Sequence, residues 1–282
     1  MSAPRRFELE TPSGRMLRGI LDFPESDGPA PTVVVCHGFK GFMEWGFFPH
    51  LAELLAARGF AVVRFNLSGS GMRPGEDRVT DPASFRQATV ARDVEDQEAI
   101  LRALLEARLA AGRADLDRIG LLGHSRGGGT TLLLAASELG RRCTRALVTW
   151  NAVGTFDRFG AEEKEAWRRD GEIQIVNART GQALPVDLAV LEDMESRRDD
   201  YDLEAAAARR AAPWLILHGS ADETVPVAEG QALAAAAAEP RQLYVVPGGS
   251  HTFGAQHPFA GPTPQLVEAM NATQRWFRRL LG

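Results

Sequence analysis

The sequence has little cysteine and no spacing typical of a metal site. Its 282 residues include two cysteines, Cys36 and Cys143, with no C-x-x-C and no Cys/His pattern. Cys36 lies within the apolar run Val33–Cys36, which favours buried packing as its role. We therefore expect neither a bound metal nor any other cofactor.

The sequence also shows no pattern typical of a leader peptide, a membrane span or a nucleic-acid-binding protein. Residues 1–8 contain no apolar core of a signal peptide, and no apolar run approaches the length that crosses a bilayer. The net charge of −5 argues against nucleic-acid binding, which requires a basic face. We therefore expect a soluble, cytoplasmic protein that acts on a small molecule. Its oligomeric state stays open.

Length and patterning predict one α/β domain with an insertion. Hydrophobic residues make up 44% of the chain, which is enough for a sizeable core. Buried strands such as Thr32–Cys36 alternate with amphipathic helices such as Phe47–Arg58. This alternation predicts a mostly parallel, doubly wound sheet of about eight strands, with flanking helices that include one long helix over about 84–111. Functional residues are expected at the carboxyl ends of the strands.

One segment, residues 151–212, interrupts that alternation and is too long for a simple connection. It contains a helical piece near Glu162–Arg169, then a hairpin, then a charged helical stretch over Val186–Arg210. We interpret it as a cap over the site, because long insertions at the active edge of such folds often act as lids. A surface decoration without substrate contact is the alternative. The remaining residues, 1–150 and 213–282, form the core domain in this interpretation.

The stretch Gly123-His-Ser-Arg-Gly127 reads G-x-S-x-G between an apolar strand and a helix of small residues. A serine on such a sharp turn has strained dihedrals, and glycines two residues away on each side remove β-carbons that would clash. The turn holds the Ser125 hydroxyl above the carboxyl end of the sheet. This context disfavours a chance match in a chain with 28 glycines.

A serine hydroxyl needs a base, and the base needs an acid, before the oxygen attacks well at neutral pH. His251 follows the last predicted strand, where a loop can return over Ser125, so it is the predicted base and His257 the alternative. Asp222 lies just past a strand end and is the predicted acid. The chain order Ser, Asp, His is the one expected when the serine lies on a sharp strand-to-helix turn of this kind, called a nucleophile elbow. Alone, Asp222 would be explained better as a turn residue or helix N-cap.

An attacked carbonyl becomes an oxyanion, which requires hydrogen-bond donors. The backbone N–H groups of Arg126, next after the serine, and of Phe39, in the loop after the strand Thr32–Cys36, are the predicted donors. Four further residues near strand ends are candidates for substrate binding, although ordinary packing explains each as well. They are Trp45, Trp150, Asn151 and Phe253.

Four motifs together resemble the α/β-hydrolase superfamily: His37-Gly-Phe-Lys-Gly41, Gly123-His-Ser-Arg-Gly127, His218-Gly-Ser-Ala-Asp222 and Gly249-Ser-His251. The similarity covers nearly the whole chain apart from residues 151–212. It is greatest to bacterial esterases of the cinnamoyl and feruloyl esterase and serine aminopeptidase-like group. The resemblance implies Ser125 as nucleophile, Asp222 as acid and His251 as base. Dienelactone hydrolases are similar in outline but carry cysteine in place of Ser125.

These features predict a serine hydrolase that cleaves carboxylic esters through an acyl-enzyme on Ser125. Aminopeptidase activity, acyl transfer and peracid formation would use the same triad. A peptidase would need a carboxylate in the insertion to hold a substrate amine, and six are available: Glu162, Glu163, Glu165, Glu192, Asp193 and Glu195. From another class, a non-catalytic ligand-binding protein on this fold is disfavoured because all three triad residues are present.

Overall fold

The computed structural model describes residues 3–282 and places most strands in one twisted sheet. In chain order the strands are β1 (Arg5–Glu10), β2 (Met16–Asp22), β3 (Ala30–Cys36), β4 (Ala61–Asn66), β5 (Ala114–His124), β6 (Thr144–Trp150), β7 (Glu172–Val176), β8 (Ala183–Asp187), β9 (Trp214–Gly219) and β10 (Arg241–Val246). Eight of them form the sheet in the order β1-β2-β4-β3-β5-β6-β9-β10. Within residues 3–282, β2 alone runs opposite in direction to the other seven strands of this sheet, so the predicted mostly parallel sheet is confirmed.

Helices cover both faces of the sheet. In chain order they are α1 (Phe47–Ala56), α2 (Pro82–Arg86), α3 (Val90–Leu105), α4 (Arg126–Ala136), α5 (Glu138–Cys143), α6 (Ala161–Asp170), α7 (Leu188–Ser196), α8 (Leu203–Arg209), α9 (Val227–Ala236) and α10 (Pro264–Leu281). Helices α1 and α10 pack on one face, and α3, α4 and α9 on the other. On β3, Val33 and Val35 face the core beneath α1 and α10, and Val34 faces the core beneath α3, α4 and α9. This alternation is that of a strand buried on both sides. No helix within residues 3–282 is long and apolar enough to cross a membrane.

The single helix predicted over about 84–111 is wrong, because the chain forms two helices there. The short α2 ends at Arg86, and Thr89 then adopts an extended backbone and caps α3 by accepting a hydrogen bond from the Arg92 N–H at 3.2 Å. Helix α3 ends at Leu105, and Ala107 has a positive φ of 54°. The cap at Thr89 is a local signal that apolar periodicity alone does not reveal.

Residues 151–212 contain α6, the separate hairpin of β7 and β8, α7 and α8. The predicted helix over Val186–Arg210 is two helices instead of one. Trp167 of α6 is fully buried beneath the hairpin and donates a hydrogen bond from Nε1 to the Val186 carbonyl oxygen at 3.0 Å. Helix α8 packs against α4 and α9, so the end of the segment joins the helix layer of the sheet.

Candidate active site

Strand β5 passes into α4 through a sharp turn at Ser125, whose φ of 57° and ψ of −127° are strained for a residue with a β-carbon. The Ser125 N–H donates to the Trp150 carbonyl oxygen at 2.9 Å, which ties the turn to the end of β6. A β-carbon at Gly127 would lie 2.2 Å from the His37 carbonyl oxygen, and one at Gly123 would lie 2.4 Å from the Gly127 carbonyl oxygen. The turn therefore requires both glycines of the motif.

The structure brings Ser125, Asp222 and His251 together, although they follow three different strands. His251 Nε2 lies 2.9 Å from Ser125 Oγ, and His251 Nδ1 lies 2.8 Å from Asp222 Oδ2. An ionised carboxylate only accepts hydrogen bonds, so Nδ1 carries the proton and Nε2 is free to accept from the serine hydroxyl. His257, the alternative base, lies elsewhere: its Nδ1 accepts from the Gly46 N–H at 3.0 Å.

Asp222 is held rigidly in its ionised form. Its side chain is fully buried, and Oδ1 accepts hydrogen bonds from the N–H groups of Thr224 and Val225, each at 2.9 Å. Burial alone would raise the pKa of Asp222, but the hydrogen bond from His251 and the two backbone bonds outweigh it and lower the pKa. The carboxylate is therefore charged at neutral pH and oriented toward His251.

The backbone of His251 is held by two buried side chains. Asn151 Nδ2 donates to the His251 carbonyl oxygen at 2.7 Å, and Asn151 Oδ1 accepts from the Gly219 N–H at 2.7 Å. His124 Nε2 donates to the same carbonyl at 2.9 Å. Burial, then the neighbouring His251, lower the pKa of His124 to about 3, so its ring is neutral. Both side chains thus orient the loop that carries His251.

The loop after β3 borders the serine. A β-carbon at Gly38 would lie 2.8 Å from the Ser125 β-carbon, so the two backbones approach closely. His37 holds this loop by donating from Nδ1 to the Gly38 carbonyl oxygen at 2.8 Å and accepting from the Leu67 N–H at 3.1 Å. Burial lowers the pKa of His37 to about 4, which keeps the ring neutral and able to accept.

The two N–H groups expected to bind an oxyanion belong to residues next to Ser125 or to the loop that borders it. Phe39 follows Gly38 in the bordering loop, and Arg126 is the first residue of α4. Among the hydrogen bonds between described residues, neither N–H group has an acceptor. Helix α4 also directs its positive end toward this point. The oxyanion hole itself stays a prediction.

A cavity of about 470 Å³ opens onto Ser125 and His251. Its walls are mainly apolar, and much of the lining comes from the insertion, including Phe156, Phe159, Trp167, Val186, Val190 and Met194. Trp45 lines it as well. A larger polar groove of about 900 Å³ beside β2 and the loop before α2 contains none of the three triad residues, so we assign no reaction to it.

Three of the four substrate-binding candidates do not line this cavity. Trp150 and Phe253 are fully buried in the core beneath α1 and α10, with ring centroids 5.4 Å apart. Trp150 Nε1 donates to Thr273 Oγ1 at 2.8 Å, which anchors that ring to α10. Asn151 is buried behind the His251 loop. Their assignment as substrate-binding residues is therefore wrong, because their side chains point away from the cavity.

The six carboxylates considered for binding the amine of a peptidase substrate are also absent from the lining of this cavity. Asp193 accepts hydrogen bonds from the Val90 and Ala91 N–H groups and so caps α3. Glu195 pairs with Arg168 at 2.6 Å on the surface. The other four are exposed: Glu162, Glu163, Glu165 and Glu192.

Comparisons with known proteins agree with this architecture. A family model described as the alpha/beta hydrolase family matches residues 33–261. An uncharacterised protein of Mycobacterium tuberculosis is 28% identical over 253 residues, which cover 89% of this chain and 73% of that protein. An uncharacterised peptidase, YuxL of Bacillus subtilis, is 26% identical over 98% of this chain but only 39% of its own length.

Among solved structures, Est1E of Butyrivibrio proteoclasticus with bound ferulic acid superposes with a TM-score of 0.70. The identity is 21%, over 97% of this chain and 98% of that one. At this identity the likeness concerns the fold alone. The resemblance drawn from the four motifs is confirmed at the level of the family.

Proposed function

Because the chain belongs to the alpha/beta hydrolase family, we propose that it is a serine hydrolase that cleaves carboxylic esters. The observation that carries the proposal is the continuous hydrogen-bonded chain from Ser125 Oγ through His251 to Asp222, at 2.9 and 2.8 Å. This series of hydrogen bonds supplies the base and the acid that activate a serine hydroxyl as a nucleophile.

In the proposed reaction, His251 Nε2 takes the Ser125 proton as Oγ attacks the ester carbonyl carbon. The charged imidazole is stabilised by Asp222, and the N–H groups of Phe39 and Arg126 bind the developing oxyanion. His251 then gives its proton to the departing alcohol, which leaves an acyl-enzyme. Water, deprotonated by His251, attacks the acyl carbon, and the acid product leaves as Ser125 regains its proton. No step requires a metal or an organic cofactor.

We propose that residues 151–212 form a cap over the reacting groups, and 1–150 with 213–282 the core domain. Support comes from the cavity, in which Phe156 and Trp167 of the insertion face the same space as Ser125. An apolar cover of this kind favours an apolar acyl or alcohol group and excludes water during acylation.

An ester substrate is favoured over a peptide with a free amino terminus. Recognition of a substrate ammonium group requires a carboxylate at the site, and no aspartate or glutamate of the described chain lines the cavity. Acyl transfer to an alcohol or a peroxide would pass through the same acyl-enzyme, and product analysis separates it from hydrolysis.

The proposal is tested by following turnover and covalent labelling together. Wild type, Ser125→Ala and a control, Ser196→Ala, are assayed with p-nitrophenyl esters from acetate to decanoate, methyl ferulate and an aminoacyl p-nitroanilide. We expect Ser125→Ala to lose at least about 10³-fold in kcat, and the control none. Intact mass after a fluorophosphonate probe should show one adduct on wild type and none on Ser125→Ala.

Three results would contradict the proposal. Equal labelling of Ser125→Ala and wild type would remove Ser125 as nucleophile. Turnover of the anilide in preference to all esters would favour a peptidase function over an esterase function. Absence of both turnover and label would favour a non-catalytic binding protein.

A further inference from the structure

The chain uses lysine at two positions only, although it has 32 basic residues. Lys164 of α6 forms an ion pair with Asp157, whose side chain is exposed. Lys40 instead lies in the loop after β3. It lines both the cavity of about 470 Å³ at Ser125, here called the main cavity, and a smaller adjoining one of about 150 Å³. Ser125 and His251 line the same two cavities, so Lys40 belongs to the wall around the reacting groups.

Lys40 has no acidic partner among the described residues. Neither the ion pairs nor the side-chain hydrogen bonds within residues 3–282 include it. The side chain is half-buried, and this burial lowers the pKa of Lys40. Keeping a partly desolvated charge without a partner is unfavourable, and a bound anion would remove that penalty.

Three arginines also line the main cavity, and two of them are neutralised by carboxylates. Arg126 Nε lies 2.9 Å from Asp93 Oδ2, and Arg158 Nη1 lies 2.8 Å from Glu229 Oε1. Arg179 resembles Lys40 in lacking an ion-pair partner among the described residues. Its guanidinium group donates to a backbone carbonyl oxygen and lies 5.7 Å from the ring centroid of Phe42.

The cavity therefore combines apolar walls with two cations that no carboxylate within residues 3–282 neutralises in an ion pair. With no acidic residue in its lining, the field inside favours an anion. The ammonium group of lysine is a compact charge with three donors, which suits a carboxylate. The aromatic lining requires that the rest of the ligand be apolar.

We propose that Lys40, assisted by Arg179, binds a carboxylate carried by an otherwise apolar ester substrate. Lys40 is then a specificity residue that selects half-esters and related acidic esters over neutral ones. The proposal rests on the proposed esterase function, since it names the substrate class of the same site.

The test compares matched pairs of esters that differ in the carboxylate alone. Mono-p-nitrophenyl adipate and its methyl ester place the group on the acyl side, and 3-carboxyphenyl butyrate and 3-carbamoylphenyl butyrate place it on the leaving group. For at least one pair, wild type should prefer the acidic ester, and Lys40→Met should reduce the ratio of the two kcat/KM values about ten-fold. Lys40→Arg should restore most of the ratio, and Lys164→Met, the matched control, should leave it unchanged.

Two outcomes would overturn the role proposed for Lys40 and leave the proposed esterase function intact. In the first, wild type turns over both members of each pair without preference. In the second, Lys40→Met lowers both kcat/KM values equally, which would mean that Lys40 acts on the oxyanion or on the fold. If Lys40→Met does not fold, two other measurements test the proposal. Arg179→Met should reduce the preference for the acidic ester, and the wild-type preference should fall as ionic strength rises, because an ionic contact weakens with ionic strength.

A binding measurement separates this proposal from the esterase proposal. Titration of the Ser125→Ala protein with 4-phenylbutyrate and with 4-phenylbutanol needs no turnover. The carboxylate should bind about ten-fold more tightly, and the difference should disappear in the Ser125→Ala, Lys40→Met double variant. Equal binding of acid and alcohol overturns the assignment of Lys40, whatever the enzyme assays show.

Discussion

Arg158 and Glu229 form an ion pair that joins the insertion to helix α9 of the core. Arg158 Nη1 lies 2.8 and 2.9 Å from the two carboxylate oxygens of Glu229. Glu229 Oε2 also accepts from the Gly154 N–H at 2.6 Å, and Arg158 Nη2 donates to the Thr224 carbonyl oxygen at 2.9 Å. One pair thus connects the start of the insertion with the loop that carries Asp222.

Glu229→Gln should weaken this connection without removing the acceptor for the Gly154 N–H. Arg158 lines the cavity, so we expect KM for p-nitrophenyl esters to rise several-fold while kcat changes little. The pair is partly exposed, and the free energy of unfolding should fall by no more than about 1 kcal/mol. Glu223→Gln, an exposed neighbour, is the control. An unchanged KM would show that the pair does not shape the substrate site.

Asn151→Asp should disturb the position of His251. The change keeps the acceptor for the Gly219 N–H but places an oxygen against the His251 carbonyl oxygen, where Nδ2 now donates. We expect the free energy of unfolding to fall by about 1–3 kcal/mol in urea denaturation. We also expect kcat to fall with little change in KM, since the base loses its position. Asn271→Asp on α10 is the control, and a fall in stability with unchanged kcat would contradict the positioning role.

Asp222→Asn should leave the fold intact and suppress turnover. Oδ1 can still accept from the Thr224 and Val225 N–H groups, but the new amide donates toward His251 Nδ1. That contact favours the tautomer with the proton on Nε2, which cannot accept from Ser125. We expect kcat to fall about 10³–10⁴-fold, measured beside Asp200→Asn as an exposed control. Retention of wild-type kcat would rule out Asp222 as the acid.

Two buried neutral histidines should make the protein sensitive to acid. The pKa values are about 4 for His37 and about 3 for His124, both lowered mainly by burial, whereas an unfolded chain has about 6.5. Below pH 6.5 the unfolded state binds protons that the folded state excludes, so the free energy of unfolding falls as the pH drops. At pH 4.5 we expect a loss on the order of 2 kcal/mol from each histidine relative to pH 7.5.

Urea unfolding at several pH values measures this dependence. His124→Gln, which can still donate to the His251 carbonyl oxygen, should lose its share of the acid sensitivity. His50→Gln, on the surface of α1, should retain the full dependence. A His124→Gln protein with the same slope as wild type would contradict the assignment.

Short-range patterns in the sequence were sufficient for much of the fold and for the order of the candidate triad. Apolar β-branched runs bounded by glycine and polar residues predict buried strands, and a G-x-S-x-G between a strand and a helix predicts the elbow. Residues that directly follow parallel strands meet at one edge of the sheet, which is why Ser125, Asp222 and His251 could be grouped in advance. The local cap at Thr89 was missed, because the helical periodicity continues past it.

Local sequence patterns were thus enough to predict the class of fold, the turn at Ser125 and the set of residues at the carboxyl edge of the sheet. The direction and the contacts of those side chains became known from the folded chain. Trp150 and Phe253 lie in the core, Asn151 holds the His251 loop, and Lys40 lines the cavity with no acidic partner in the described part of the chain. The partner of a side chain, or the lack of one, depends on segments far apart in the sequence, and no local pattern specifies how such segments meet.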